Sequence, residues 1–306
     1  MKAIRIHEYG DASTLKLEEV PRLSIKDDEV LVRVRAASVN PVDWKIRQGY
    51  MKQFIPANFP MTIGQDFAGE VVDWGKSVNQ FQVGDRVFGF ANGTYAEYSA
   101  PPVSTIAKIP QSMDFATAAA LPTAGLTALQ IIRDAISAAP GMTILIHGAA
   151  GGVGSFAVQI AEHRGASVIG TATGEEDIAY MKSLGVEQVI DYRRERFEDK
   201  VSGVDAIVDL VGGDTLTRSY SVVKKGGAIV TTVGTIDESA AKRAEIRAFR
   251  LMMKRNSQDL IELARLVEKG AVKPRMSETL NLTQAKDAQQ LSEAGKARGK
   301  VILKVA

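Results

Sequence analysis

Residues 144–154 read ILIHGAAGGVG, and this stretch decides the fold. An apolar run ends at His147, a glycine-rich turn follows, and the segment VGSFAVQIAEHRG begins at Val153. A short apolar run that ends at glycine predicts a buried strand, whereas apolar residues spaced three and four apart predict a helix. The stretch therefore predicts a strand–turn–helix unit.

Glycine in this turn has a chemical consequence. A Cβ atom would keep the backbone away from a pyrophosphate, and the free N–H groups at the start of the following helix attract an anion. The spacing is a variant of G-x-G-x-x-G, because the first glycine of that pattern falls on Ala149. We interpret the turn as a dinucleotide-binding turn, with a purely structural turn as the alternative. The residues assigned to the cofactor are Gly148, Ala149, Ala150, Gly151, Gly152, Val153 and Gly154.

The regions on either side of the turn differ in pattern. Downstream, apolar runs at 167–173, 188–192, 205–212 and 227–234 alternate with helical segments, which predicts a doubly wound parallel sheet of the α/β class. Upstream, short alternating segments at 30–39, 67–75 and 86–90 lie between turn residues and predict a β-rich domain.

The boundary between the two patterns lies near residue 120. The segment ATAAALPTAGLTALQIIRDAI has helical spacing that Pro122 and Gly125 interrupt, and a further helix is predicted over 257–270. We assign 1–121, completed by 271–306, to a catalytic domain and 122–270 to the dinucleotide-binding domain.

Composition excludes several classes of protein. The chain has 306 residues, a formal charge of +2, no cysteine and three histidines. Disulfides, thiolate catalysis and cysteine-ligated metals are thereby excluded, and the small charge disfavours nucleic acid or an anionic membrane as a partner. The N-terminus lacks a signal-peptide pattern, so we expect a cytoplasmic protein with a small-molecule substrate.

The end of the second predicted strand bears on the choice of cofactor. Residues 170–174 read GTATG, without the acidic residue that would hold the 2′-hydroxyl of NAD. Thr171 and Thr173 are candidate donors to a 2′-phosphate, and Arg193 and Arg194 could add a basic clamp. NADPH is therefore favoured, and NADH is the alternative.

Ligands of open α/β sheets bind at the carboxyl ends of the strands. Two pairs of residues at the ends of predicted strands are further cofactor candidates, namely Val211 with Gly212 and Gly234 with Thr235.

Other motifs occur in a defined order along the chain. They are SVNPVDWKIR at 38–47, GQDFAGEV at 64–71, VGDRV at 83–87, ALPTAGLTA at 120–128, DLVGG at 209–213 and GKVIL at 299–303. With these motifs the chain resembles the zinc-free medium-chain dehydrogenases/reductases, in the branch of quinone (zeta-crystallin-like) and alkenal/one oxidoreductases. The resemblance implies a GroES-like catalytic domain, a Rossmann domain, and a homodimer formed through edge strands near 244–253.

The resemblance also implies roles for single residues. Asn40 and Tyr50 become catalytic candidates, Asn40 as a donor near the nicotinamide or the acceptor oxygen and Tyr50 as a proton donor or pocket wall. Asp43, Thr127, Lys300 and the retained Tyr192 become cofactor contacts. The alternatives are loop or helix capping for Asn40 and Thr127, loop geometry for Asp43 and a solvated charge for Lys300.

Departures from the family pattern are informative. Gln65 stands where the zinc enzymes of this superfamily have a histidine, and Asp177 stands where many quinone reductases have a lysine for the 2′-phosphate. Without a metal, the enzyme should favour acceptors that delocalise the incoming charge, which quinones and α,β-unsaturated carbonyls do. The alternatives are an enoyl-thioester reductase, with Lys45, Arg47 and Lys52 as a basic cluster, and a non-catalytic NADPH-binding protein.

Overall fold

The structure is a computed structural model that describes residues 1–56 and 58–305. Its internal contacts divide the chain into two units. The first comprises Met1–Ala124, Arg255–Glu268 and Pro274–Ala306, and the second comprises Gly125–Lys254 and Lys269–Lys273.

The strands and helices are numbered in chain order. The strands are β1 (Lys2–Ile6), β2 (Lys16–Glu19), β3 (Val30–Val39), β4 (Met61–Thr62), β5 (Asp66–Trp74), β6 (Arg86–Phe90), β7 (Tyr98–Ser99), β8 (Ile106–Lys108), β9 (Thr143–His147), β10 (Ser167–Ala172), β11 (Gln188–Asp191), β12 (Val204–Asp209), β13 (Val223–Thr231), β14 (Arg247–Arg250), β15 (Met276–Asn281) and β16 (Lys300–Lys304). The α-helices are α1 (Pro41–Arg47), α2 (Phe115–Ala120), α3 (Pro122–Gln130), α4 (Gly152–His163), α5 (Glu175–Ser183), α6 (Gly213–Ser219), α7 (Glu238–Ala244), α8 (Ser257–Glu268) and α9 (Ala285–Glu293). Short 3-10 turns cover Ala12–Thr14, Val103–Thr105, Phe197–Asp199 and Leu282–Gln284, and α3 continues into a π-helical turn, Ile131–Ala135.

The first unit is β-rich, as the sequence predicts. Its larger sheet has the order β15-β16-β3-β5-β6-β8, with β7 also paired to β3, and a smaller sheet has the order β2-β1-β4. Alternate residues of β3 point into one core, where Val30, Val32 and Val34 pack with Phe67 and Val71 of β5. Burial of this face fixes the register of the strands.

The second unit contains one parallel sheet with the order β11-β10-β9-β12-β13-β14. The helices α4 and α5 pack on β9 to β11, and α6 and α7 pack on β12 to β14. The predicted doubly wound α/β fold is confirmed. Because all pairs are parallel, the carboxyl ends of the strands meet at one edge, with β9 and β12 adjacent at its centre.

The structure differs from the predicted element boundaries at several points. β12 ends at Asp209 and β13 at Thr231, so that residues 211–212 and 234–235 lie in loops beyond the strands. Pro122 starts α3, where its missing N–H costs nothing, and Gly125 does not interrupt that helix.

The division into units also differs from the predicted domains. Helix α8 belongs to the first unit, where it packs on β8, although the sequence places 257–270 with the dinucleotide-binding domain. The apolar spacing of a helix shows that one face is buried but does not show against which sheet.

Among residues 1–56 and 58–305, no helix is both long and apolar enough to cross a membrane.

Candidate active site

The glycine turn lies at the carboxyl end of β9 and leads into α4. Gly151 is the N-cap of α4, and no side chain caps this end of the helix. The first N–H groups of a helix have no partner within the helix, so here they are open to an anion. Gly148 adopts a left-handed conformation, with a φ of 71°, which favours glycine at this position.

A side chain is excluded at Gly154 and would be a tight fit at Gly151. A Cβ atom on Gly154 would collide with the carbonyl oxygen of Gly148 and would lie 2.7 Å from that of Ala149. A Cβ atom on Gly151 would lie 3.2 Å from the carbonyl oxygen of Gly148. The close approach of α4 to the turn therefore requires glycine at 154, as close packing does at the third glycine of a dinucleotide-binding turn.

Thr171 of β10 accepts hydrogen bonds from the backbone of this turn. Its hydroxyl accepts a hydrogen bond from the N–H of Gly148 at 3.3 Å, and its carbonyl accepts one from Ala149 at 3.1 Å. The side chain is buried and also lies 3.3 Å from Nδ1 of His147, whose pKa burial lowers to about 4. This placement differs from the predicted contact to a 2′-phosphate, because burial removes the hydroxyl from solvent.

The end of β11 lies beside that of β10. Thr173 donates from its hydroxyl to Oδ1 of Asp191 at 2.9 Å, and the same oxygen accepts the N–H of Arg193. These two hydrogen bonds lower the pKa of Asp191, with that from Arg193 the larger cause. The side chain of Tyr192 is exposed at the end of the strand. Thr173 and Tyr192 therefore lie together at the edge where an adenosine ribose is expected.

A buried pair that sequence reasoning missed organises the loops after β12 and β13. Asp209 accepts the hydroxyl of Thr231 at 2.6 Å and the N–H of Gly212 at 2.9 Å. Thr231 in turn accepts the N–H of Gly234 at 2.9 Å. Two predicted cofactor residues, Gly212 and Gly234, are thus fixed by one side-chain pair, while Val211 and Thr235 are exposed. An aspartate that ends an apolar strand at the ligand-binding edge was the signal available in the sequence.

The first unit contains a separate buried polar cluster. Asn40 donates from Nδ2 to Oδ2 of Asp66 at 2.8 Å and accepts Nζ of Lys300 at 2.5 Å. All three side chains are almost fully buried. Burial lowers the pKa of Lys300, and the Asp66 and Asp43 carboxylates oppose that shift. The predicted site residues Asn40 and Lys300 are brought together, but their polar atoms are directed at each other and at Asp66.

Asp43 is in the first turn of α1 and belongs to the same cluster. Its Oδ2 accepts the N–H of Asn40 and the hydroxyl of Tyr95, both at 2.8 Å. Burial raises the pKa of Asp43 to about 7, and the Asp66 carboxylate acts in the same direction, whereas the two hydrogen bonds and Lys300 oppose it. Burial likewise raises the pKa of Tyr95.

Asp66 and Tyr95 were not identified from the sequence. Asp66 also accepts the hydroxyl of Thr123 at 2.6 Å and the N–H of Thr123 at 3.0 Å. Gly64 adopts a φ of 101°, and a Cβ atom there would collide with the ring of Tyr95. An acidic residue at the start of the buried strand β5 was a usable signal for Asp66, whereas nothing in the pattern around Tyr95 indicates its partner.

Two further predicted site residues are Tyr50 and Thr127. Tyr50 is 69% exposed and packs edge-on against Trp44 with 6.4 Å between ring centroids. Thr127 is buried within α3, rather than at the start of that helix as predicted. Their proposed contacts to substrate and cofactor stay predictions.

The residues of the cluster do not fit a zinc ion. The described part of the chain contains no group of three or more histidine, cysteine, aspartate or glutamate side chains that could hold a metal. The Oε1 atom of Gln65, at the position of the zinc-site histidine, accepts a hydrogen bond from Arg255 instead. A cationic guanidinium disfavours a second cation beside it.

Comparison with known proteins gives the family. Residues 26–111 match the alcohol dehydrogenase GroES-like domain model, and residues 184–303 match a model described as zinc-binding dehydrogenase. The tomato (Solanum lycopersicum) 2-methylene-furan-3-one reductase is 35% identical, and the alignment covers 99% of this chain and 79% of that protein. The Arabidopsis thaliana NADPH-dependent alkenal/one oxidoreductase, chloroplastic, is also 35% identical with the same coverage.

A solved structure described as the quinone oxidoreductase from Coxiella burnetii superposes with a TM-score of 0.92. It is 38% identical, and the match covers 100% of this chain and 99% of that one. The chain belongs to the quinone oxidoreductase family of the medium-chain dehydrogenases.

Proposed function

We propose that the protein is an NADPH-dependent reductase of quinones and α,β-unsaturated carbonyl compounds. The observation that carries the proposal is the turn at 148–154, where an uncapped helix N-terminus meets a backbone that tolerates no side chain at Gly154. The names of the relatives support it, because they combine an NADPH-dependent enzyme with reductases of conjugated ketones and quinones.

In this proposal, some groups of the chain bind the nucleotide and others position the loops around it. The N–H groups at the start of α4 bind the diphosphate, and the Asp209–Thr231 pair keeps the loops at Gly212 and Gly234 in place. When bound, NADPH supplies a hydride equivalent. Contacts from Asn40, Asp43, Thr127 and Lys300 are carried over from the resemblance and are part of the proposal.

NADPH is proposed over NADH on the basis of the β10 and β11 ends. Residues 171–174 offer no carboxylate, and the nearby Asp191 is already engaged by Thr173 and by the N–H of Arg193. The exposed side chain of Arg194 lies next to this end of the sheet, within 3.6 Å of Asp191. The cationic Arg194 favours a doubly charged 2′-phosphate at this edge, whereas the Asp177 carboxylate in the first turn of α5 opposes it.

The acceptor class follows from the groups available for charge stabilisation. We propose a zinc-independent reaction, because the Gln65–Arg255 contact replaces a metal ligand with a hydrogen-bond donor and acceptor pair. A conjugated acceptor delocalises the charge that arrives with a hydride, so hydrogen bonds are sufficient to stabilise it.

A cytoplasmic homodimer completes the proposal. β14 is the edge strand of the parallel sheet, and it covers part of the predicted 244–253 segment. An unpaired strand edge is a template for pairing with a second copy. A sedimentation mass of one chain would contradict the dimer.

The direct test is turnover with purified protein that has been dialysed against EDTA. We expect NADPH oxidation with methyl vinyl ketone and with 1,4-benzoquinone, at a rate unchanged by the chelator. NADPH binding without reduction of either compound would overturn the proposal and favour a non-catalytic NADPH-binding protein.

An enoyl-thioester reductase is less favoured. Arg47, one of the basic residues predicted to meet coenzyme A phosphates, is fully buried and bonds to Glu293 at 2.6 Å and to Gln289 at 3.0 Å. Faster NADPH oxidation with crotonyl-CoA than with methyl vinyl ketone would favour the enoyl-thioester reductase instead.

A further inference from the structure

A pocket of about 250 Å³ opens within the first unit, close to the buried cluster. Apolar side chains line much of it, among them Ile46, Ile55 and Met61, and its polar lining includes Asp43 and Gln65. A cavity whose lining combines apolar side chains with polar groups is suited to a small organic ligand that carries a polar atom.

Asp43 lines this pocket and carries an oxygen without a hydrogen-bond partner. The residue is fully buried, and Oδ1 has no hydrogen-bond partner within the protein. Buried polar atoms without a partner are costly in proteins, and at ligand sites the ligand supplies the missing partner.

The two carboxyl oxygens of Asp43 are not equivalent. Oδ2 accepts two hydrogen bonds, from the N–H of Asn40 and the hydroxyl of Tyr95, and so has no room for a proton. A proton on this carboxyl group must therefore reside on Oδ1. The protonated form has a donor on Oδ1 that no protein group accepts, whereas the ionised form would leave an unpaired charge beside the pocket.

The surroundings set which form is present. The groups that bear on Asp43 from other elements are Asp66 of β5, Lys300 of β16, Tyr95 and Arg255. With burial as the larger cause, the pKa of Asp43 is raised to about 7. The neutral acid is thus the main form below neutral pH.

We propose that Asp43 is a catalytic acid that donates a hydrogen bond from Oδ1 to the carbonyl oxygen of the substrate in this pocket. This assignment rests on the proposed function and adds the substrate-binding group to it. A ketone or quinone oxygen only accepts hydrogen bonds, so a neutral carboxyl group matches it and a carboxylate does not.

The same contact accounts for the proton that the reduction consumes. The hydride that NADPH would supply forms a C–H bond at the β-carbon of the enone as the C–H bond of the nicotinamide breaks. The C=C electron pair then shifts to the bond beside the carbonyl carbon, and the C=O π pair moves onto the oxygen. The O–H bond of Asp43 then breaks, the proton passes to the substrate oxygen, and the electron pair stays on the carboxylate. The resulting enol tautomerises to the saturated ketone, and solvent reprotonates Asp43. An acid with a pKa near the working pH is suited to this transfer.

The test is a binding titration with cyclohex-2-en-1-one in the absence of NADPH, followed by NMR. The probe does not react covalently with thiols here, because the chain has no cysteine. If only neutral Asp43 binds, a pKa of about 7 makes binding about 30-fold weaker at pH 8.5 than at pH 6. Equal affinity at the two pH values would overturn the proposal, and this result needs no variant.

Variants assign the effect to this carboxyl group. Asp43→Asn retains an N–H donor but cannot ionise, so we expect affinity near the wild-type value at pH 6 with no pH dependence. Its NADPH-dependent turnover of cyclohexenone should fall at least 100-fold, because an amide donates no proton. Asp28→Asn, at an exposed carboxylate of the same unit, should retain the wild-type pH profile and rate.

The outcomes separate this role from the proposed function. A pH-dependent titration that persists in Asp43→Asn would transfer the effect to another group and overturn the role of Asp43. Wild-type turnover together with pH-independent binding of cyclohexenone would also overturn the role of Asp43. The proposed reductase activity would then stand.

Discussion

The protonation state of Asp43 depends on residues that are distant from it in sequence. Asp43 lies in α1, the Asp66 carboxylate in β5 acts with burial to raise its pKa, and the Tyr95 hydroxyl donates a hydrogen bond to one of its oxygens. The motif SVNPVDW identified Asp43 as a site residue through resemblance alone. The protonation state depends on side chains that are adjacent only in the folded chain, so no local pattern could predict it.

The free energy of unfolding should depend on the protonation state of Asp43. An unfolded aspartate has a pKa near 3.9, whereas that of folded Asp43 is about 7. Between these values the native state retains a proton that the unfolded state has lost, so wild-type stability falls as the pH rises from about 4 to 7 and then levels off. Asp43→Asn lacks this loss, so its free energy of unfolding relative to wild type should rise across the same interval.

Urea unfolding at pH 4.5, 6, 7 and 8 measures the difference. Asp28→Asn changes the same chemical group at an exposed position and should follow the wild-type curve. A constant difference between Asp43→Asn and wild type at all four pH values would show that Asp43 is already ionised at low pH.

At the scale of elements, the strand ends hold most of the site. β9, β10, β12 and β13 end at the same edge of the parallel sheet, so residues distant in sequence meet there. The alternation of apolar runs and helices predicted this edge and the glycine turn correctly. The exact strand ends were missed, because Asp209 and Thr231 draw the backbone into loops through hydrogen bonds that span 22 residues of sequence.

Removal of the Thr231 hydroxyl should loosen both loops. Thr231→Val keeps the shape of the side chain but leaves the N–H groups of Val233 and Gly234 and one oxygen of Asp209 without their partner. We expect a loss of about 2 kcal/mol in the free energy of unfolding and weaker NADPH binding. Thermal unfolding and a fluorescence titration measure the two effects.

Thr217→Val is the matched control for this change. Thr217 is exposed on α6, and its hydroxyl makes one hydrogen bond within that helix. Its unfolding free energy should stay within about 0.5 kcal/mol of wild type. Equal losses in the two variants would show that the Asp209–Thr231 pair has no special role.

At the scale of the whole molecule, the sequence was sufficient for the two fold classes but not for every boundary. The period of the apolar residues distinguishes a parallel sheet from a β-rich unit, which is why both were predicted. Helix α8 was assigned to the wrong region, because its amphipathic pattern is compatible with packing on either sheet. The buried cluster of the first unit was only partly predicted, since Asp66 and Tyr95 come from segments whose local patterns indicate strands alone.

The central claim is that a nucleotide diphosphate binds to the backbone of the turn at 148–154. Fluorescence titration of NADPH and NADH into wild type and Gly151→Ala tests it directly, with thermal unfolding to verify that the variant is folded. Gly151 has a φ of −75°, so alanine fits the backbone there, and its Cβ would project into the turn 3.2 Å from the carbonyl oxygen of Gly148. We predict tighter binding of NADPH than NADH to wild type and at least tenfold weaker NADPH binding to a folded Gly151→Ala. Unchanged NADPH affinity in the folded variant, or no NADPH binding to wild type, would contradict the claim.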